Sequence, residues 1–124
     1  MTRILLAEDD PDIRFLVRYG LESAGFMVDS AGDGDEALRL GRRHPPDLCV
    51  LDVRMPGLSG IEVCRGLRAG PDTAAVPILM LTAQASVPHM DEAYDAGATD
   101  YLIKPFSRRE LMERIEALLA GVAS

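Results

Sequence analysis

The chain has 124 residues, 48% hydrophobic and 27% charged, the balance of one ordinary folded domain and too little chain for two. Acidic residues outnumber basic ones, 20 to 13, for a net charge of −7 with no basic block, which argues against direct docking on nucleic acid or an anionic membrane. Cys49 and Cys64 are too few for a disulfide framework or a zinc site, and they read as buried apolar residues of a reducing, cytoplasmic protein. Nothing after Met1 reads as a leader, and the longest uncharged stretch, 73–90, is broken by Pro77, Gln84, Pro88 and His89, so no membrane span is expected.

Along the chain, Ile4-Leu5-Leu6-Ala7 predicts a first strand. Asp10 before Pro11 predicts an N-cap with proline at the first helical position. Ile13, Leu16, Val17, Gly20, Leu21 and Ala24 then fall on one helical stripe that faces the sheet, up to a C-cap at Gly25. Strands are expected at Phe26-Met27-Val28 and at Leu48-Cys49-Val50-Leu51. Ser59-x-x-Glu62 is a capping-box pattern opening the next helix, with Gly70 near its end. A fourth strand at Ile78-Leu79-Met80-Leu81 precedes an alanine-rich helix near Pro88 to Ala96, closed by Gly97. Tyr101-Leu102-Ile103 is the fifth run, and a second capping box, Ser107-x-x-Glu110, opens a helix striped with Leu111, Ile115, Leu118, Leu119 and Val122. The third and fourth runs are continuously apolar, as strands covered on both faces are. Alternation of strand and helix predicts an α/β domain over 1–124, a doubly wound parallel sheet with helices on both faces.

In such sheets ligands bind beyond the carboxyl ends of the strands. Glu8, Asp9 and Asp10 follow the first strand, Asp52 the third, Thr82 the fourth and Lys104-Pro105 the fifth. Asp10 reads as the cap, whereas Glu8, Asp9 and Asp52 would bring three carboxylates together, a repulsion that a hard cation relieves. Mg²⁺ suits oxygen ligands and phosphate, and no His or Cys stands at a strand end for zinc or copper. Thr82 could donate a hydrogen bond, and Lys104, the single lysine against 12 arginines, a point charge to a phosphoryl group. An aspartate carboxylate can itself be the nucleophile.

The segments Ile4–Asp10, Leu51-Asp52-Val53-Arg54-Met55-Pro56-Gly57, Leu81-Thr82-Ala83 and Ala96–Phe106, with 43 residues from Asp9 to Asp52, 30 more to Thr82 and 22 more to Lys104, carry a resemblance. Over essentially its whole length the chain resembles the receiver domain of two-component response regulators. The resemblance implies a flavodoxin-like sheet of order 2-1-3-4-5 with five helices, Asp52 as phosphoacceptor, and Mg²⁺ (or Mn²⁺ in its place) on Glu8, Asp9, Asp52 and the Arg54 backbone carbonyl. It further implies phosphoryl contacts from Thr82 and Lys104, Tyr101 as the switch aromatic, and a cis Lys104-Pro105 peptide. Arg54 and Gln84 stand at the variable positions where the family tunes phosphoryl lifetime.

The implied partners are a histidine kinase or phosphotransfer protein and a downstream output domain or protein. A kinase contact is expected at Phe15, Arg18 and Tyr19, opposite the buried stripe, and at Phe106. A phosphorylation-dependent homodimer through the fourth helix, fifth strand and fifth helix is open, with Asp100, Glu110 and Arg114 as its charged groups. No output domain is expected within the chain, which reads as a switch that catalyses only its own phosphorylation and slow dephosphorylation. One alternative is a pseudo-receiver, an interaction module not regulated by phosphorylation. A haloacid-dehalogenase-type phosphatase would want a second Asp where Arg54 stands, and a nucleotide-binding flavodoxin-like protein would want a glycine-rich loop where Glu8-Asp9-Asp10-Pro11 stands.

Overall fold

The computed structural model describes residues 1–83 and 87–121, the side chains of 87–89 excepted. The elements run β1 (Arg3–Ala7), α1 (Pro11–Ser23), β2 (Met27–Ala31), α2 (Gly34–Arg43), β3 (Leu48–Asp52), α3 (Gly60–Ala69), β4 (Ile78–Thr82), α4 (Val87–Asp95), β5 (Asp100–Ile103) and α5 (Arg108–Gly121). The strands form one parallel sheet of order β2-β1-β3-β4-β5.

Alternate strand residues point to opposite faces, and the core divides accordingly. Leu5, Ala7, Cys49, Leu51, Ile78, Met80 and Tyr101 meet Ala37 of α2, Ile61, Val63, Cys64 and Leu67 of α3, and Ala93 of α4. Ile4, Leu6, Leu48, Val50, Leu79, Leu81 and Leu102 meet Val17 and Leu21 of α1 and Leu111 and Ile115 of α5. Each fully buried aliphatic side chain contributes about 1.5–3 kcal/mol. Both cysteines are buried as expected, and desolvation pushes the Cys49 thiol up to about 12, so it stays protonated. Among the described residues no helix is long and apolar enough to cross a membrane.

The caps follow the sequence closely. Asp10 Oδ1 accepts from the Asp12 and Ile13 amides, at 2.9 and 3.3 Å. Both capping boxes form, Ser59 with Glu62 and Ser107 with Glu110. Gly25 and Gly97 take the left-handed φ values of +96° and +110° that end α1 and α4, whereas Gly70 stays at −86°.

Two expectations shift. β2 begins at Met27, because the Phe26 amide donates to the Leu21 carbonyl in the exit turn of α1. The strand then runs on through polar Asp29 and Ser30, which an edge position tolerates; the Arg3 guanidinium pairs with Asp29 at 2.8 Å. On α1 only Val17, Gly20 and Leu21 are buried, while Leu16 is 67% exposed and Ala24 is exposed at the C-cap. Leu16 is turned one residue, about 100°, from Val17 and lines a groove between α1 and α5 instead of the sheet. Val122, expected on the last helical stripe, and Gln84 lie outside the described residues.

Candidate functional site

Every strand that contributes to the site ends at the same edge. Paired register sets Ala7 beside Leu51, Asp52 beside Leu81 and Thr82 beside Ile103, so Glu8, Asp52, Thr82 and Lys104 emerge as neighbours. The Glu8 amide extends the β1–β2 pairing by donating to the Ala31 carbonyl at 3.1 Å, and the Asp10 cap then turns the chain into α1. The Lys104 amide donates to the Thr82 carbonyl at 2.7 Å, and Lys104-Pro105 is a cis peptide, as expected.

Glu8, Asp52 and Thr82 are buried, and Asp9 is exposed at the rim. Lys104 Nζ donates to Glu8 Oε1 at 2.7 Å and to Asp52 Oδ2 at 3.0 Å. One ammonium therefore serves two of three carboxylates, and the cluster keeps net negative charge. Desolvation, and then the Asp52 carboxylate beside it, push the Glu8 carboxyl up to about 7 against the pull of Lys104. Burial lowers the Lys104 pKa, but its bonds to Glu8 and Asp52 outweigh that and hold it above its ordinary value.

A carboxylate oxygen from each of Glu8, Asp9 and Asp52 lies within 4.8 Å of the others. Among the described residues Glu8 Oε2 is buried without a hydrogen-bond partner, an acceptor that a cation would satisfy. A set made only of oxygen donors with surplus negative charge fits a hard divalent cation such as Mg²⁺.

Beside the cluster, Val53, Arg54, Met55, Ser59, Ile61, Thr82, Glu92 and Tyr101 line a cavity of about 330 Å³. Arg54 is exposed at the mouth of this cavity, and Tyr101 is 5% exposed, its ring already within the core. On α1, Phe15 and Tyr19 are 66% and 62% exposed and their rings stack with centroids 6.3 Å apart. Arg18 beside them pairs with Glu22 at 3.3 Å, and Phe106 is half-buried. Leu16, Tyr19, Pro105, Phe106 and Met112 belong to the apolar groove along this face. Of the charged groups proposed for a dimer, Asp100 and Arg114 pair with each other at 3.0 Å and Glu110 is held in its capping box.

Two arginines gained no role from the sequence. Arg14 donates to the Glu8 carbonyl at 2.8 Å. Arg68 donates to the carbonyls of Gly97, Thr73, Ala74 and Val76 and to Thr99 Oγ1, tying the end of α3 to the segments before β4 and β5. Neither stands in a motif, and only the long-range packing reveals them.

The model of the response regulator receiver domain matches residues 4–116. The phosphate regulon transcriptional regulatory protein PhoB of Rhizobium meliloti is 47% identical over 120 residues, 96% of this chain and 52% of that protein. The chain spans about half the length of the curated relatives it matches. Among solved structures, the chemotaxis response regulator CheY4 of Vibrio cholerae superposes with a TM-score of 0.91 at 34% identity, covering 95% of this chain and 98% of that one. The receiver domain of a Pseudomonas aeruginosa sensor histidine kinase, solved with a magnesium ion coordinated in its active site cleft, gives 0.89 at 35% identity, covering 96% and 98%. The fold, the register that gathers the strand-end acids, and a match across nearly the whole chain agree: the protein belongs to the response regulator receiver domain family.

Proposed function

We propose that this domain is a phosphorelay switch whose phosphoacceptor is Asp52. The observation that supports it best is the buried Asp52 carboxylate held against Lys104 and Glu8 at the edge where the doubly wound sheet binds ligands. An Asp52 oxygen attacks the phosphorus of a phosphohistidine on a kinase or phosphotransfer protein. The P–N bond breaks, and the imidazole leaves with the electron pair and takes up a proton. Glu8, Asp9, Asp52 and the Arg54 carbonyl would hold Mg²⁺ (Mn²⁺ as substitute), which supplies neutralisation of charge at the phosphoryl oxygens. Lys104 exchanges one carboxylate partner for a phosphoryl oxygen, and the Thr82 hydroxyl donates to another. Arg54 and Gln84 tune the lifetime of the phosphoaspartate by covering the approach of water.

The signal leaves through Thr82 and Tyr101. Tyr101 is already inward, so phosphorylation would favour an arrangement the domain reaches unaided and steady the α4-β5-α5 surface in it. Phe15, Arg18, Tyr19 and Phe106 form the face offered to the kinase. The output lies in a further domain or a separate protein, as the name of the transcriptional regulator from Rhizobium meliloti suggests. The domain works in the cytoplasm and, of itself, turns over only its own acyl phosphate.

Amide spectra before and after labelling with phosphoramidate and Mg²⁺ test this. In the wild type, shifts should extend across residues 84–106. Thr82→Ala should label comparably yet confine its shifts to the neighbours of Asp52. Full-sized shifts in Thr82→Ala would remove the hydroxyl from the coupling. A wild type that takes no label would favour the interaction module that phosphorylation does not regulate.

A further inference from the structure

We infer that Arg14 is a positioning residue for the cation site: by holding the Glu8 carbonyl it fixes the peptide joining Glu8 to Asp9, and so sets the affinity of the cleft for Mg²⁺. This rests on the reading of Glu8, Asp9 and Asp52 as the Mg²⁺ ligands.

The Glu8 backbone is held from two sides. Its amide donates to the Ala31 carbonyl of β2 at 3.1 Å, and its carbonyl accepts from Arg14 Nη1 of α1 at 2.8 Å. Arg14 springs from a fixed base, since its own amide donates to the Asp10 carbonyl at 2.9 Å in the capped first turn. The carbonyl that Arg14 grips belongs to the same rigid plane as the Asp9 amide, so holding it sets where the Asp9 side chain starts. Asp9 needs such an anchor. Among the described residues its carboxylate has no hydrogen bond or ion pair, whereas Glu8 and Asp52 are both oriented by Lys104. A cation ligand without a partner of its own keeps its aim only through its backbone.

The route of the guanidinium is also specified. Arg14 passes over Gly32 in the β2–α2 connection, where an added Cβ would stand 2.8 Å from Nη1 and 3.6 Å from Cζ. A glycine leaves the slot open, and any side chain there would push the guanidinium off the Glu8 carbonyl. Arg14 and Gly32, 18 positions apart in the sequence, therefore act on one contact.

The test is titration of the phosphate-free protein with MgCl₂, followed by calorimetry and by the amide shifts of Asp9 and Asp52, alongside thermal unfolding without Mg²⁺. Arg14→Ala and Gly32→Ala should each weaken Mg²⁺ binding about tenfold, the low end for groups that orient metal ligands. The double variant should be no weaker than the weaker single one, because both remove the same contact. Arg14→Lys, which keeps one donor, should recover part of the affinity. Should Gly32→Ala fail to fold, Arg14→Ala and Arg14→Lys carry the test alone. Affinity within about twofold of wild type in Arg14→Ala, with only the unfolding temperature lowered, would reduce Arg14 to a structural role and overturn the inference; losses that multiply in the double variant would do the same. A wild type that binds no Mg²⁺ would instead overturn the reading of the acids as ligands, and the inference with it.

Discussion

Lys104→Ala is expected to cost the fold about 3 kcal/mol at pH 8, with most of that cost absent at pH 5. The Lys104 ammonium lies 2.7 Å from Glu8 and 3.0 Å from Asp52, whose side chains are only 1% and 9% exposed. Without it two buried carboxylates face each other unneutralised. The figure is the low end for breaking a buried pair, because Lys104 is itself 20% exposed and water can follow it out. The sign of the pH dependence follows from Glu8. Its carboxyl is already raised from about 4.5 to about 7, so it holds its proton more tightly folded than unfolded. That contribution is complete below 4.5 and is lost as pH climbs through 7. Removing Lys104 removes the one group that pulls the value down, so the loss deepens and reaches higher pH. Adding Mg²⁺ at pH 8 should restore part of the stability, one cation standing in for another. Urea unfolding at the two pH values, with and without Mg²⁺, measures all of this; equal losses at pH 5 and pH 8 would mean that Lys104 acts through packing and not charge.

The second large effect falls on a glycine. Gly60 opens α3, and its amide donates to the Val53 carbonyl at 2.9 Å. A Cβ there would come far closer to the Asp52 carbonyl oxygen than van der Waals contact allows, and would stand 3.0 Å from Met80 Cε. The first obstacle is backbone at the end of a central strand, so it cannot rotate aside. Gly60→Ala should destabilise by about 3 kcal/mol, the upper part of the range for overpacking. At about 4 °C per kcal/mol for a chain of this size, Tm falls by roughly 12 °C. Gly66 of the same helix is the control. The atoms nearest its Cβ would be the methyl ends of Leu38, at 2.9 and 3.0 Å, which can give, and alanine is the better helix former by about 1 kcal/mol. Gly66→Ala should therefore leave Tm nearly unchanged. Matching losses in the two variants would show that helix entropy, rather than the approach to Asp52, governs both.

The parts of this molecule that were legible in sequence are those where one local rule decides. Leu48–Leu51 and Ile78–Leu81 are apolar at every position because helices cover both faces of β3 and β4, and Asp10-Pro11 and the two capping boxes mark helix starts by their own hydrogen bonds. The acids were legible because a doubly wound sheet delivers the residues after its strands to one edge. What was missed depends on distant partners. β2 runs on through Asp29 and Ser30 because an edge strand has water on one side and Arg3 for a partner, which no alternation of apolar residues announces. Leu16 obeys the helical period yet stands 67% exposed, since the period gives the centre of a buried stripe and not its width. Arg14 and Arg68 look like any of the 12 arginines until the carbonyls they reach are known.

The central claim, that the Glu8–Asp9–Asp52 cleft makes Asp52 a Mg²⁺-dependent phosphoacceptor, is tested most directly by intact mass after incubation with phosphoramidate. The wild type with Mg²⁺ should gain the mass of one phosphoryl group, lose it to hydroxylamine as an acyl phosphate does, and gain none in EDTA. Asp52→Asn, which removes the nucleophilic oxygen at nearly constant volume, should gain none under any of these conditions. A wild type that stays unmodified, a gain that survives EDTA, or a gain of equal size in Asp52→Asn would contradict it.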